Sequence, residues 1–182
     1  MIAILDYGSG NLRSAERAFA ETNVEVVVTS DSSVVSQAEA LVVPGVGAFG
    51  ACMQQLHAIN GDEIIKSAIT AGKKVFGICV GMQILFESSN EKGSHKGLGI
   101  TSGSIDLLHA DVLPHIGWNT VSGGETIAHF SGIEMEHFYF VHSYGVAYKE
   151  PTVGIATSTY GSTFIASIER ENVFATQFHP EK

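Results

Sequence analysis

The chain has 182 residues and a formal net charge of −9, with 45% of its residues hydrophobic and 16% charged. This length and composition predict a globular protein with one domain, residues 1–182, and a sizeable apolar core. The acidic balance argues against a protein that binds nucleic acid or anionic membranes, because it offers no basic surplus for phosphates.

No apolar run is long enough to span a bilayer, and residues 1–5 lack the basic lead-in and cleavage site of a signal peptide. We therefore expect a cytoplasmic protein. The two cysteines, Cys52 and Cys79, fit neither a metal-ligand spacing nor a disulfide framework. The sequence accordingly predicts no metal site, and none of its motifs requires a cofactor.

The first half of the chain alternates short apolar strands with helical segments. Strands are predicted over residues 2–5, 24–28, 40–43 and 73–78. Helices are predicted over residues 12–21, from about residue 31, and over residues 51–59 and 62–71. Apolar strands separated by helices indicate a parallel sheet covered by helices on both sides, with ligands bound at the carboxyl ends of the strands.

The second half begins with a polar loop, residues 88–97, and continues in short alternating stretches. Strands are predicted over residues 100–108, 112–121, 137–148, 153–158, 164–169 and 173–178. We expect these strands to be partly antiparallel and to extend the first sheet. The predicted fold class is α/β, a single three-layer α/β/α domain whose mainly parallel central sheet is extended by antiparallel strands.

Cys79 lies at the bend between the strand of residues 73–78 and a helix predicted over residues 81–87. A side chain at such a turn projects from the sheet edge and lies near a helix N-terminus, where a thiolate is favoured. The next backbone N–H, that of Val80, can then bind an oxyanion. Cys79 is therefore a candidate nucleophile, whereas most lone cysteines are small buried hydrophobic residues.

A thiol nucleophile needs a base, and that base needs an orienting partner. The candidates are the eight histidines, His57, His95, His109, His115, His129, His137, His142 and His179. His179 is favoured because Glu181 follows two residues later, on the same face of an extended segment that Pro180 favours. His142 is the rival, but no carboxylate stands at that spacing from it.

The glycine-rich residues 44–47 follow the strand that should neighbour that of Cys79. Glycines let main chain approach a ligand closely, so a backbone N–H of this loop could join that of Val80 in an oxyanion hole. Residues 45–50 also match G-x-G-x-x-G, with Asp62 and Glu63 as candidate ribose ligands, which is the pattern of a nucleotide-binding module. However, Asp62 and Glu63 start a predicted helix, whereas the ribose-binding carboxylate belongs at the end of a strand.

Two stretches resemble the signature of the class I (triad) glutamine amidotransferases: Gly-Ile-Cys-Val-Gly-Met-Gln at residues 77–83 and His-Pro-Glu at residues 179–181. More narrowly, four other blocks resemble the glutaminase subunits of imidazole glycerol phosphate synthases, which act in histidine biosynthesis. These blocks are residues 6–12, 44–49, 114–119 and 139–144. A glutaminase component of another amidotransferase, of the pyridoxal-phosphate or carbamoyl-phosphate type, shares the triad but not these blocks.

The resemblance implies a flavodoxin-like fold and hydrolysis of glutamine to glutamate and ammonia. Cys79 would form a γ-glutamyl thioester, His179 would act as general base and acid, and Glu181 would orient it. The remaining implied roles are oxyanion stabilisation by Val46 and Val80, and glutamine binding by Gly47, Gln83, Ser143 and Tyr144. The ammonia would pass to a (β/α)₈-barrel cyclase subunit, at an interface that includes Trp118, Tyr139 and Lys182.

Two positions depart from the family pattern. Val80 stands where the family usually has leucine, a mild change because the backbone N–H is the functional group. The sequence ends at Lys182, whereas relatives continue with another helical stretch, so we expect loose packing behind His179 and Glu181.

Overall fold

The computed structural model describes residues 1–123, 127–133, 136–147 and 154–182. The strands within these residues are β1 (Ile2–Leu5), β2 (Val26–Thr29), β3 (Ala40–Gly45), β4 (Lys74–Cys79), β5 (Ser88–Ser89), β6 (His95–Lys96), β7 (Ser104–Leu107), β8 (His115–Thr120), β9 (His137–His142), β10 (Tyr144–Val146), β11 (Gly154–Tyr160), β12 (Ser162–Arg170) and β13 (Val173–Thr176). The α-helices are α1 (Leu12–Ala20), α2 (Ser32–Gln37), α3 (Phe49–Ala58), α4 (Gly61–Thr70) and α5 (Val80–Gln83). In the described part of the chain, no helix has the length and apolar character needed to cross a membrane.

The central sheet has seven strands in the order β11-β12-β13-β4-β3-β1-β2. The five strands from β13 to β2 are parallel, and β12 and β11 continue the sheet in antiparallel fashion. α1 packs on β1 and β2, while α4 packs on β4 and also contacts α2 and α3. The predicted fold class, a mainly parallel α/β sheet extended by antiparallel strands, is confirmed.

The register of β4 with its two neighbours brings distant parts of the sequence to one edge. On one side Gly45 of β3 is paired with Cys79, so the loop of residues 46–48 begins beside the cysteine. On the other side Thr176 of β13 is paired with Ile78, so the chain continues into residues 177–179 at the same edge. All three strands are largely buried, as apolar parallel strands must be.

The expectation that every later strand extends the central sheet is wrong. β10, β7, β5 and β6 form a separate sheet, and β8 pairs only with β9. An alternating pattern predicts a strand but does not specify its partner, and here the β8–β9 ribbon buries one face while exposing the other. The segment predicted as a polar loop, 88–97, contains the short strands β5 and β6.

Further boundaries differ from prediction. The strand expected from residue 24 begins at Val26, and the one expected from residue 100 begins at Ser104. The helix expected over residues 81–87 ends at Gln83, because the chain turns there and its later N–H groups bond back within the turn. The strand expected over 137–148 is broken at Ser143, which separates β9 from β10. Its predicted end, Tyr148, and the predicted start of the following strand, Val153, lie outside the described residues.

The buried apolar side chains form two clusters. The larger surrounds the central sheet and includes β1, β3, β4 and the inward sides of the helices. The smaller is rich in aromatic rings and lies between the antiparallel end of the sheet and the β8–β9 ribbon; Phe130, Phe140, Phe164 and Phe178 are its phenylalanines. Phe178 therefore anchors the segment that carries His179.

Candidate active site

Cys79 is the last residue of β4 and immediately precedes α5. Its backbone has φ 55° and ψ −113°, a conformation that side-chain-bearing residues rarely adopt and that costs about 1–3 kcal/mol. The turn also requires Gly81, because a Cβ there would lie 1.8 Å from the carbonyl oxygen of Val43. This is the strained strand-to-helix turn that displays a nucleophile.

His179 is held beside this turn by its backbone and its side chain. Its N–H donates to the Tyr139 carbonyl (2.9 Å), which ties the segment to β9. Its Nδ1 lies 2.8 Å from Oε1 of Glu181. The two side chains are only 7% and 5% exposed, so the loose packing expected behind them is not found.

The electrostatics of the site favour a protonated His179. Burial lowers the pKa of His179, but interactions with Cys79 and Glu181 outweigh it and raise the pKa to about 10. Its Nε2 is buried, and among the interactions that raise the pKa of His179 the one with Cys79 is the largest. An imidazolium at this position stabilises negative charge on a neighbouring sulfur.

A cavity of about 350 Å³ opens at the same edge of the sheet, a size within the range of small-molecule sites. Six residues that the sequence assigned to the site line it together: Gly47, Cys79, Val80, Gln83, Ser143 and Tyr144. His179, Glu181 and Val46 do not line it. The structure therefore gathers these six residues from three separate stretches of the sequence around one opening next to the cysteine.

The cavity is also lined by residues that the sequence interpretation did not assign to it, including Glu91 and Lys92. Oε2 of Glu91 accepts the N–H of Phe49 (2.7 Å) at the start of α3, whose own N-cap residue, Ala48, provides no side-chain cap. A single carboxylate and a single ammonium in a polar loop form no sequence pattern that would identify them as site residues. They bring one charge of each sign to the wall of the cavity.

The backbone of Val46 is engaged away from the cavity. Its N–H donates to Oγ of Ser9 (3.1 Å), and its carbonyl oxygen accepts from the Ser9 hydroxyl (2.8 Å) and the Cys52 thiol (3.3 Å). Tyr7 fixes the preceding turn by donating to the Pro44 carbonyl (2.7 Å). The Val46 N–H can reach an oxyanion only if its bond to Ser9 breaks.

The rival base, His142, has no free nitrogen for a thiol. Its Nδ1 faces the Tyr144 carbonyl (2.9 Å) and its Nε2 faces Nδ1 of His115 (3.2 Å). Burial, with smaller contributions from His115 and His179, lowers the pKa of His142 to about 4 against the opposing effect of the Tyr144 carbonyl. His142 is therefore a buried neutral side chain.

The carboxylates proposed as ribose ligands have another role. Asp62 and Glu63 lie in the first turn of α4, where acidic side chains complement the helix dipole. Both pair with Lys66, and Asp62 also lies 3.5 Å from His57. The pattern that indicated a nucleotide-binding module therefore lacks its carboxylate.

The three predicted interface residues lie at or near the β8–β9 ribbon. Trp118 is 60% exposed and packs edge-on against Tyr139, with ring centroids 5.6 Å apart. Ile116 and Val141 are also exposed on this outer face of the ribbon. Lys182 is exposed and follows the His179 segment that bonds to Tyr139.

Residues 3–182 match the family of class-I glutamine amidotransferases, and the chain belongs to this family. Two relatives share about half of its residues over its whole length. It is 49% identical to the imidazole glycerol phosphate synthase subunit HisH of Corynebacterium diphtheriae, covering 91% of that protein, and 47% identical to the same subunit of Thermobifida fusca, covering 90%. At this identity and coverage, the chain falls among the HisH subunits within the family.

A comparison of folds agrees with the family assignment. A crystal structure of a glutamine amidotransferase matches 99% of this chain and 90% of its own with a TM-score of 0.78. Because only 16% of the residues are identical, this likeness concerns the fold alone.

Proposed function

We propose that this chain is the glutaminase subunit of an imidazole glycerol phosphate synthase. It hydrolyses glutamine to glutamate and ammonia and delivers the ammonia to a cyclase subunit in histidine biosynthesis. The observation that carries the proposal is the buried His179–Glu181 pair beside the strained turn of Cys79, and Cys79 itself lines a cavity of suitable size. The HisH relatives support the particular complex.

In this mechanism the Cys79 thiolate attacks the side-chain carboxamide carbon of glutamine. The resulting oxyanion accepts from the Val80 N–H, and the protonated His179 gives its proton to the departing ammonia. A γ-glutamyl thioester remains on Cys79. Neutral His179 then takes a proton from water, hydroxide adds to the thioester, and glutamate leaves as the thiolate and imidazolium return. Glu181 holds the imidazole through Nδ1 in both halves.

The second oxyanion donor is the Val46 N–H, which becomes available when its bond to Ser9 opens. Gly47, Gln83, Ser143 and Tyr144 hold the glutamine by polar contacts along the cavity. We add Glu91 and Lys92, whose charges complement the α-ammonium and α-carboxylate of an amino acid. Together these groups explain how a small zwitterion would be held with its carboxamide at the sulfur.

The partner is a (β/α)₈-barrel cyclase that docks on the outer face of the β8–β9 ribbon. Exposed Trp118, supported by Tyr139, is the type of aromatic anchor that dominates interface energetics. Lys182 adds a charge beside it. We propose that residues 1–182 act as one domain in this assembly, in the cytoplasm.

The test is glutamate release from glutamine, measured with and without the cyclase subunit and its nucleotide substrate. The wild-type complex should turn over glutamine, and Cys79→Ala should abolish the release. As a control, the Cys79→Ala complex supplied with ammonium should still form imidazole glycerol phosphate, because the cyclase then needs no glutaminase. Undiminished glutamate release by Cys79→Ala would overturn the proposal.

A further inference from the structure

A side-chain amide contacts the sulfur of Cys79, in addition to the groups of the proposed triad. Gln177 is 1% exposed, and its Nε2 lies 3.8 Å from Sγ of Cys79, within hydrogen-bond range for sulfur. The register of β13 with β4 places it there, since Thr176 is paired with Ile78. Gln177 is thus a buried amide in contact with the atom that attacks the substrate.

The orientation of this amide is fixed by its neighbours. One atom of the Gln83 side chain lies 2.9 Å from the Tyr144 carbonyl, and because a carbonyl only accepts, that atom is the donor Nε2. The same Nε2 lies 2.9 Å from the Gln177 side chain, which must therefore present Oε1 to it. The NH₂ group of Gln177 is then left to face Cys79.

The Tyr144 carbonyl, which determines the orientation of the Gln83 amide, also accepts a hydrogen bond from a buried histidine. His142 donates its Nδ1–H to that carbonyl (2.9 Å), so its Nε2 accepts from Nδ1–H of His115 (3.2 Å). Nε2 of His115 faces the Asn119 amide (3.4 Å), whose NH₂ group also donates to the Thr159 carbonyl (3.0 Å). Because the Thr159 and Tyr144 carbonyls can only accept, they determine which atoms donate in every hydrogen bond between them.

We propose that Gln177 is a further catalytic residue, whose side-chain N–H donates to the Cys79 sulfur and stabilises its thiolate form. Gln83 is the positioning residue that keeps the amide in this orientation, and the His115–His142 pair holds the carbonyl on which Gln83 depends. The proposal deepens the proposed function and rests on it, since it concerns the same nucleophile. His179 supplies a charge that moves with its proton, whereas Gln177 supplies a dipole that does not titrate.

The test uses the full chain and two substitutions of similar size. Gln177→Met removes the N–H donor without adding charge, and Gln177→Glu places a carboxylate oxygen towards the sulfur. The rate of alkylation of Cys79 by iodoacetamide, in which the thiolate attacks the CH₂ carbon and iodide leaves, is followed by mass spectrometry from pH 5 to pH 10. Gln54→Met, at an exposed position of α3, is the matched control.

Gln177→Met should slow alkylation at neutral pH by about tenfold and raise the pH of half-maximal rate by about one unit, as expected for losing a hydrogen bond to a charged group. Gln177→Glu should shift it further in the same direction, and Gln54→Met should leave it unchanged. An unmoved pH profile in both Gln177 variants, even with lower stability, would overturn the proposal and leave Gln177 a packing residue.

If neither variant folds, the side-chain amide resonances of Gln177 in the wild-type chain decide the question. They should shift when Cys79 is replaced by alanine, and unchanged resonances would contradict the contact. The alkylation profile needs neither glutamine nor the cyclase. A chain that shows the Gln177 effect but fails to hydrolyse glutamine in the complex with the cyclase would therefore refute the proposed function and leave the thiolate contact standing.

Discussion

At the residue scale, the proposed mechanism depends on three buried side chains whose environments differ. Cys79 is displayed by a strained turn, His179 is held protonated with a pKa of about 10, and Glu181 bonds to its Nδ1. A cationic imidazole beside the sulfur prepares both the attacking thiolate and the proton for the leaving ammonia. The proposed division of roles follows from this arrangement.

Replacing Glu181 by glutamine tests this division. The change keeps a hydrogen-bond acceptor for His179 but removes the negative charge that helps raise the pKa of His179, so the imidazolium is less stable. We expect kcat for glutamate release by the complex to fall about 10- to 100-fold. KM should change little, because Glu181 does not line the cavity.

The control for this change is Glu63→Gln, which removes an exposed carboxylate paired with Lys66. Its kcat should remain within about twofold of wild type. Equal kcat values for Glu181→Gln and wild type would show that His179 needs no anionic partner.

At the element scale, the loop after β3 is held with the N–H of Val46 bonded to Ser9. Ser9 occupies both polar groups of the Val46 backbone, and the Cys52 thiol adds a second contact to the carbonyl. The loop therefore offers one oxyanion donor fewer than the chemistry requires. We expect its backbone to be the part that changes when the site is activated.

Ser9→Ala should raise glutamate release by the chain without its cyclase several-fold, because it frees the Val46 N–H. Glutaminase assays of the isolated subunit measure this directly. Ser36→Ala, which removes an exposed hydroxyl bonded within α2, is the control and should leave the rate unchanged. A Ser9→Ala subunit with the same rate as wild type would mean that this bond does not limit the site.

The β8–β9 ribbon carries a pH-dependent element in its buried face. Burial lowers the pKa of His115, and it is the main cause that lowers the pKa of His142 to about 4. The groups that face these two histidines are His179, the Tyr144 carbonyl and the Asn119 amide. Both histidines are neutral in the fold but protonate near pH 6.5 when unfolded. Their contribution to stability is complete above pH 6.5 and is lost as pH falls towards 4.

We expect the free energy of unfolding in urea to fall by about 2–3 kcal/mol between pH 7 and pH 4.5. His179 opposes this fall only between pH 7 and about pH 6, where the unfolded chain gains the proton that folded His179 already holds because of its raised pKa. His142→Gln should flatten the profile, whereas the surface substitution His57→Gln should not. A pH-independent wild-type stability over this range would contradict a neutral buried pair.

The parallel half of the fold could be predicted because its strands are apolar on both faces and its turns carry glycine. The partners of the later strands could not, since alternation in β7 to β10 indicates a strand without saying which sheet it joins. Glu91 lacked any pattern, because a single carboxylate becomes significant only when α3 and the cavity lie beside it. Gln177 likewise depends on the β13–β4 register, which no local signal specifies.

At the scale of the whole molecule, the cavity adjoins the β8–β9 ribbon, because Val141 and His142 of β9 line it. The inner side of the ribbon carries His115 and His142, whereas the outer side exposes Ile116, Trp118 and Val141. A partner that covers the outer face would therefore contact the element that also holds Tyr144 through His142. We propose that the cyclase influences the glutaminase site by this route.

Trp118→Ala should weaken binding of the cyclase by about 10- to 30-fold while leaving the free energy of unfolding of the isolated chain nearly unchanged. Isothermal titration calorimetry and urea unfolding measure the two effects. Val24→Ala, an exposed apolar residue just before β2, is the matched control and should alter neither. If Trp118→Ala bound the cyclase with undiminished affinity, the interface would lie elsewhere than on the ribbon.

The most direct test of the central claim is to trap the covalent intermediate. Acid quenching of the complex during turnover with glutamine, followed by peptide mass spectrometry, should find a glutamyl group on the peptide that contains Cys79. The His179→Asn complex should hydrolyse this adduct more slowly, because the base that activates water is missing. A glutamyl group on Cys52, or glutamate release without any adduct on Cys79 in either complex, would contradict the assignment of Cys79 as the nucleophile.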